Sequence, residues 1–277
     1  MVNRSQLKFH ETFQPETGYI AKIIEQSSRG YRGSKFEVSV ETGMPTGNQK
    51  GKVEPHIKYA GYMGLINYSV ERGIYNLSLT NLGKEIYNQD KYLHEPLSKW
   101  LCHYGITQKH TGAPQWAFLF NEEHIGFARD ISSERIIEQA NRFFGLNLPF
   151  EEIFGVVRRC YIDGIFSDLE MLSVDDVGKW KFEEKYERDE LLYVYAYALL
   201  DGWDKSLAEK SEITLLELID NLGFGKIFGF NDSSISEVLE MFNDEGIIIL
   251  NRQLFPATLI RTSSVEEIIP QLYSRLL

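Results

Sequence analysis

The apolar positions of residues 1–89 predict three helices. In residues 15–28 they recur at helical spacing after Pro15, and residues 52–63 have an apolar side opposite a basic one. Between these two segments, Phe36, Val38 and Val40 alternate as in a strand, although the flanking length also fits a short helix. We favour the helix for this middle segment.

Two strand-like runs follow the third helix, at residues 65–68 and 75–79, with Gly73 between them. Alternating apolar residues on both sides of a turn glycine are typical of a β-hairpin. Three helices followed by a hairpin are the element order of a winged helix. We therefore predict a winged-helix domain over residues 1–89.

Residues 90–185 are predicted to be helical. Their helices are rich in aromatic residues, which indicates a shared core, and Trp180 and Phe182 suggest one short strand. From Leu191 onward the first pattern returns, with a long apolar helix, two further helices and two strand-like runs. The predicted fold is mainly α with small β-hairpins, divided into a winged helix (1–89), a helical middle domain (90–185) and a winged-helix-like C-terminal domain (186–277).

The composition is that of an ordinary globular chain, with 43% hydrophobic residues. The apolar run Leu191–Leu200 is too short to span a bilayer, which takes about 20 residues. The N-terminus lacks the apolar stretch of a secretion signal, so we expect a cytoplasmic protein. The two cysteines, Cys102 and Cys160, have no CxxC spacing and are expected to be reduced.

The net charge of −11 argues at first against a nucleic-acid partner. The charge is unevenly distributed, however. Residues 1–89 carry 11 basic and 8 acidic residues, a net charge of +3, whereas residues 90–277 carry 18 and 32, a net charge of −14. A basic module attached to an acidic body is consistent with weak, salt-sensitive DNA binding.

The helix at 52–63 is the best candidate for contact with double-stranded DNA, because helix-turn-helix modules place such a helix in the major groove. The cations expected to contact phosphates are Lys50, Lys52, Lys58 and Arg72, and the residues expected to contact bases are His56 and Tyr59. The same surface is equally consistent with a protein-docking module whose lysines are merely solvated. The corresponding C-terminal helix has acidic and no basic residues, which favours docking of a partner.

No catalytic, metal or cofactor site is predicted. The candidate metal ligands do not have the spacing of a zinc site; they are His94, Cys102, His103, His110 and His124. Residues 43–52 fail the phosphate-loop pattern, and paired acids such as Glu122-Glu123 diverge on a helix. A metal-dependent nuclease with an unrecognised acidic site stays open as a further alternative.

Six segments together resemble an uncharacterised bacterial family whose domain has no known function. They are FHETF (9–13), GLI (64–66), LTNLG (79–83), DKYLHEPLSKWLCHY (90–104), WAFLFN (116–121) and GKIFGFND (225–232). The resemblance covers nearly the whole chain. The family's Cys-Pro near residues 167–169 is replaced here by Ser167-Asp168-Leu169, which puts a redox or metal role at that point in doubt.

The resemblance implies a genomic setting beside phosphoadenosine-phosphosulfate-reductase-like enzymes, in DNA phosphorothioation or phage-defence clusters. It supplies no catalytic residues. The leading hypothesis is therefore a non-enzymatic, DNA-associated accessory protein of such a system, which also binds other proteins of the same cluster. The alternative is a protein–protein scaffold. No membrane contact is expected, and the pattern does not define an oligomeric state.

Overall fold

A computed structural model describes residues 2–121, 130–253 and 256–276. About half of the chain is helical, and the named strands form small antiparallel three-stranded sheets. The predicted fold class, mainly α with small β-hairpins, is therefore confirmed. The chain divides into two compact units, Met1–Glu183 and Glu184–Leu277. The finer three-domain division stays a prediction.

The first sheet and its helices occupy residues 4–89. The elements are α1 (Arg4–Leu7), α2 (Thr17–Ser28), β1 (Arg32–Ser34), α3 (Lys35–Thr42), α4 (Val53–Tyr62), β2 (Ile66–Glu71), β3 (Ile74–Leu79) and α5 (Asn81–Gln89). The sheet has the order β1-β3-β2. The structure confirms the predicted hairpin and the three predicted helices, including α3, where a strand was the alternative.

The remainder of the first unit adds a second small sheet. Its elements are α6 (Pro96–Ile106), α7 (Pro114–Phe120), β4 (Ile131–Ser132), α8 (Ser133–Phe144), α9 (Phe150–Ile153), α10 (Gly155–Ile162), a 3-10 helix (Ser167–Leu169), β5 (Leu172–Val174) and β6 (Lys179–Phe182). The strand suggested at Trp180 and Phe182 is confirmed as β6. The buried aromatic residues of the helices include Trp100, Trp116, Phe118, Phe120 and Tyr161.

The second unit contains the third sheet. Its elements are a 3-10 helix (Asp189–Leu191), α11 (Leu192–Ser206), β7 (Glu212–Thr214), α12 (Leu215–Asp220), α13 (Phe224–Phe228), α14 (Asp232–Asp244), β8 (Ile248–Asn251), β9 (Thr258–Arg261), α15 (Val265–Ile268) and a 3-10 helix (Ile269–Gln271). Most of the apolar run Leu191–Leu200 is buried in α11. Among the described helices, none combines the length and apolarity needed to cross a membrane.

One topology occurs three times along the chain. A short strand leads into helices and then into a hairpin, and the sheet order is always first–third–second: β1-β3-β2, β4-β6-β5 and β7-β9-β8. We call these the N-terminal module (17–79), the central module (131–182) and the C-terminal module (192–261). In each module the first strand ends at a hydroxyl residue that caps the next helix, namely Ser34, Ser132 and Thr214.

In the N-terminal and C-terminal modules, the threonine directly after the hairpin makes the same hydrogen bond to the glycine that follows the preceding helix. The Thr80 hydroxyl donates to the Gly64 carbonyl at 2.7 Å, and the Thr262 hydroxyl donates to the Gly246 carbonyl at 2.6 Å. Both glycines have positive φ, 75° and 69°, which ends the helix and turns the chain into the sheet. The hairpin is thereby held at a defined position against the helix in both modules.

Candidate nucleic-acid interface

Helix α4 is the element predicted to enter the major groove. It begins after Lys52, carries Pro55 in its first turn, where the missing N–H costs little, and ends before Gly64. None of its ten residues is exposed. Its fully buried residues are Val53, Pro55, His56, Ile57, Tyr59 and Ala60. A helix that reads DNA needs an accessible face, and α4 offers only a half-buried strip formed by Glu54, Lys58, Gly61 and Tyr62.

The N-terminal segment covers one side of α4 at Tyr59. The Tyr59 hydroxyl donates to the Phe13 carbonyl at 2.9 Å. Its ring lies 4.8 Å from that of Phe9 and 6.0 Å from that of Trp116 in α7, measured between centroids. Burial holds the pKa of Tyr59 well above its ordinary value. Tyr59 is therefore a core residue, and its side chain cannot reach a base in this conformation.

His56 is equally enclosed, and both of its ring nitrogens are satisfied. Nε2 accepts a hydrogen bond from the Glu16 backbone N–H at 3.1 Å, and Nδ1 lies 2.6 Å from the Lys52 carbonyl, to which it donates. Burial lowers the pKa of His56, which favours the neutral imidazole. This histidine joins α4 to the start of α2 and has no free nitrogen to offer to a base.

The end of α4 is covered by two further elements at glycine positions. A Cβ at Gly105 of α6 would lie 2.5 Å from the Met63 carbonyl oxygen, so the two backbones touch directly. A Cβ at Gly61 would lie 2.6 Å from the Tyr68 ring of β2. Glycine permits both close approaches, and α4 is consequently enclosed by its own hairpin as well as by the helices after it.

Of the four predicted phosphate ligands, Lys52 is engaged within the protein. Its ammonium lies 2.5 Å from the Glu16 carboxylate and sits over the rings of Tyr19 and Phe13, at 5.2 and 5.8 Å from their centroids. The side chain is three-quarters buried. Lys52 therefore stabilises the contact between α4 and the N-terminal segment.

Lys58 is half-buried on α4, one turn after Glu54. The Glu54 carboxylate accepts from the Tyr75 hydroxyl at 2.7 Å and pairs with Lys35 at 3.2 Å. Burial works against the charge on Glu54, but these two hydrogen bonds outweigh it and hold its pKa below the ordinary value. Glu54 therefore joins α4 to α3 through Lys35 and to β3 through Tyr75.

Lys50 and Arg72 are the two predicted cations that are exposed, and neither has an ion pair within the described part of the chain. Lys50 lies in the loop before α4. Arg72 lies at the hairpin tip, where it and Gly73 both have positive φ, as a type I′ turn requires. The predicted phosphate ligands that are exposed thus lie in a loop and a turn, outside α4.

The counterpart of α4 in the C-terminal module has the opposite properties. Helix α14 exposes Asp232, Glu237 and Asp244, and no ion pair to them is found among the described residues. It has no lysine or arginine. The helix predicted to read DNA is therefore largely enclosed, and the exposed helix is acidic.

Sequence reasoning missed the enclosure of α4. Periodicity identified the helix and its apolar side, but the opposite side is covered by residues distant in sequence, such as Trp116. One feature of the sequence does indicate that another segment packs against α4, namely the aromatic segment FHETF (9–13). Phe9 and Phe13 belong to no periodic element, and such large apolar side chains favour burial.

Within the described residues, no group of three or more His, Cys, Asp or Glu side chains converges as a metal site would require. His124, one of the residues considered as a ligand, lies outside the described residues. Cys102 and Cys160 are free, buried thiols, and burial raises the pKa of each above its ordinary value. They are packing residues.

The fold is similar to solved structures with the titles "Magnesium ion-bound SspB crystal structure" and "SspB crystal structure". The TM-scores are 0.75 and 0.74, and the sequence identity is 18% in both comparisons. Each alignment covers 96% of this chain and 87% of the SspB chain. At this identity the similarity establishes a shared fold. No curated protein matches the chain significantly.

A family model matches residues 8–147, which are half of the chain and contain the N-terminal module with all of the elements that enclose α4. The chain belongs to the family described as "Protein of unknown function (DUF4007)".

Proposed function

We propose that this protein is a non-enzymatic docking component of a bacterial DNA phosphorothioation-linked modification or phage-defence system. In this proposal its modules are winged helices that bind partner proteins. The repeated order of strand, helices and hairpin supports the winged-helix assignment, and the family resemblance supports the setting. Winged helices serve both DNA and protein binding, so the choice depends on the surface each one presents.

The proposal rests on the difference in exposure and charge between α4 and α14. A DNA-reading helix must be exposed and basic, because phosphate binding depends on the release of counterions by cations. Helix α4 is largely enclosed and its one lysine is balanced by one glutamate, whereas α14 is exposed but acidic. Neither helix meets both requirements, whereas an exposed helix with free carboxylates suits a protein partner.

The proposed docking surface is the exposed face of α14, with the carboxylates of Asp232, Glu237 and Asp244. Its neighbour Glu240 is already paired with Arg252, so the three free carboxylates define the charge of the face. Charge complementarity calls for a partner with a basic surface and predicts fast, salt-sensitive association.

Co-expression with the proteins encoded in the same gene cluster tests this proposal. A tagged wild-type chain should retain a partner that the variant Glu237→Lys plus Asp244→Lys loses. The matched control is Glu209→Lys plus Glu266→Lys, which reverses two other exposed carboxylates of the same unit. Retention of the partner by the α14 variant, or loss in both variants, would contradict docking at α14.

Weak DNA contact is a second candidate function, favoured by the exposed and unpaired side chains of Lys50 and Arg72. Two phosphate contacts predict a slope of about −1.8 for log affinity against log salt, at about −0.9 per contact. A salt titration of duplex binding measures this slope. Absence of binding at low salt would end this candidate, and magnesium-dependent nicking of plasmid DNA would contradict the non-enzymatic assignment.

A further inference from the structure

Strand β2 is an unusually long and exposed sheet edge. The sheet order places β3 on one side of it, and the other side is free of any described strand. Its six residues pair with β3 along their whole length, and Asn67 through Glu71 are all exposed. The edge strands of the three sheets are otherwise two to four residues long: β1, β4, β5, β7 and β8. Short edges are one way in which proteins avoid pairing with other chains, and β2 lacks this protection.

The edge strand β8 is short, and a side chain gives it a second protection against pairing with another chain. The Asn243 side chain of α14 accepts a hydrogen bond from the Leu250 backbone N–H at 3.1 Å, which covers part of the free edge. In the described chain, no side chain binds the backbone of residues 67–71 in this manner. Strand β2 also contains no proline and no lysine, which are common edge-blocking residues.

The β2 edge is preformed. Its tip is a two-residue turn at Arg72 and Gly73, and its base is anchored where the Tyr68 ring packs on Gly61 of α4. Tyr68 and Val70 share one face of the strand and are 37% and 48% exposed. A rigid strand loses little conformational entropy when another strand pairs with it, so this edge is suited to strand addition.

We propose that β2 pairs in antiparallel fashion with β2 of a second copy of this chain, with the two-fold axis at Ser69. The two sheets then form one six-stranded sheet. Tyr68 faces Val70 of the second copy, and Asn67 faces Glu71, so apolar residues meet apolar ones and no two carboxylates face each other. This self-complementarity favours a second copy over an unrelated strand.

The proposed interface is isologous, with the same residues contributed by both copies. One strand pair buries less than the roughly 1,200 Å² of a stable interface, so the dimer is weak and depends on concentration. This inference goes beyond the proposed function, because self-association needs neither a partner protein nor DNA.

Sedimentation velocity of the full-length chain over a concentration series tests the proposal. The wild type should pass from monomer to dimer as concentration rises, and Val70→Lys should stay monomeric because a lysine blocks edge pairing. The matched control is Val40→Lys, at an 83% exposed valine on α3, which should behave like the wild type.

Hydrogen exchange on the wild type gives a readout that does not depend on any variant folding. Those amides of residues 67–71 that point away from β3 should exchange more slowly as concentration rises, while those of β8 stay unchanged. A wild-type chain that is monomeric throughout the series would overturn the proposal. A dimer that survives Val70→Lys, or one without added protection at residues 67–71, would overturn it as well.

Discussion

At the scale of single residues, two histidines of the N-terminal segment and α4 are held in the neutral form by burial. His10 is 2% exposed; its Nδ1 accepts from the Thr12 backbone N–H at 3.1 Å. Burial, with smaller contributions from Arg159 and Lys8, lowers the pKa of His10 from the usual 6.5 to about 4. His56 is lowered in the same direction, so both residues favour folding only while they remain unprotonated.

We expect the free energy of unfolding to fall as the pH drops from about 6.5 towards 4. In this range the unfolded chain binds more protons at His10 than the folded chain does, so protonation favours unfolding. The shift corresponds to a loss of about 3 kcal/mol from His10, at 1.36 kcal/mol per pKa unit. Urea unfolding at neutral pH and near pH 4.5 measures the loss.

The variant His10→Gln should show a smaller loss of stability over the same pH range. The matched control is His110→Gln, since His110 is exposed and should leave the pH dependence of the wild type intact. An identical pH dependence in the wild type and in His10→Gln would show that His10 is not the responsible group.

At the scale of elements, the approach of α6 to the end of α4 depends on Gly105. Alanine is the better helix former, by about 1 kcal/mol, and would stabilise α6 if space allowed. A Cβ at Gly105 would instead lie 2.5 Å from the Met63 carbonyl oxygen, and backbone cannot give way as a flexible side chain can. Overpacking costs about 1–3 kcal/mol, so the clash outweighs the gain.

Gly105→Ala should therefore lower the melting temperature. Gly18→Ala in α2 is the control, because a Cβ there meets no atom within 4 Å, and it should be neutral or stabilising by up to about 1 kcal/mol. Thermal unfolding of both variants measures the difference. Equal melting temperatures would mean that α6 does not rest on α4 through backbone contact.

The elements that sequence reasoning recovered are those with a repeated pattern. Helices α2, α4, α11 and α14 and the β2–β3 hairpin follow from apolar spacing, and the Asn231 cap of α14 follows from residue type. The first strands of the modules were missed because two or three residues have no periodicity. Their signal is local: Ser34 and Thr214 are each followed three residues later by a glutamate, which forms a capping box.

The candidate site was less predictable than the fold. Residue type and helical spacing placed His56, Lys58 and Tyr59 on one helix, which is α4, and Lys52 is its N-cap residue. Whether such a helix faces solvent is decided by residues distant in sequence, here the segment around Phe9 and Phe13 and the α7 residue Trp116. No local pattern contains that information.

At the scale of the whole molecule, the charge of +3 on residues 1–89 overstates the cationic surface available to a polyanion. Lys35, Lys52 and Arg29 are paired with Glu54, Glu16 and Glu25, so these three cations are engaged within residues 1–89. Among the predicted phosphate ligands, Lys50 and Arg72 are exposed without a described ion pair. Of these predicted ligands, we expect Lys50 and Arg72 to contribute more to any DNA affinity than the half-buried Lys58 of α4 does. Lys22, Arg32 and Lys84 are further exposed cations of residues 1–89.

Fluorescence anisotropy of a duplex at low salt, compared between two variants, tests the enclosure of α4 most directly. The first variant, Lys58→Gln, alters α4, and the second, Lys50→Gln plus Arg72→Gln, alters the exposed cations. We expect Lys58→Gln to bind as the wild type does, and the second variant to bind more weakly than the wild type. Strong wild-type binding that Lys58→Gln abolishes would contradict this expectation, because α4 would then have to lie against DNA.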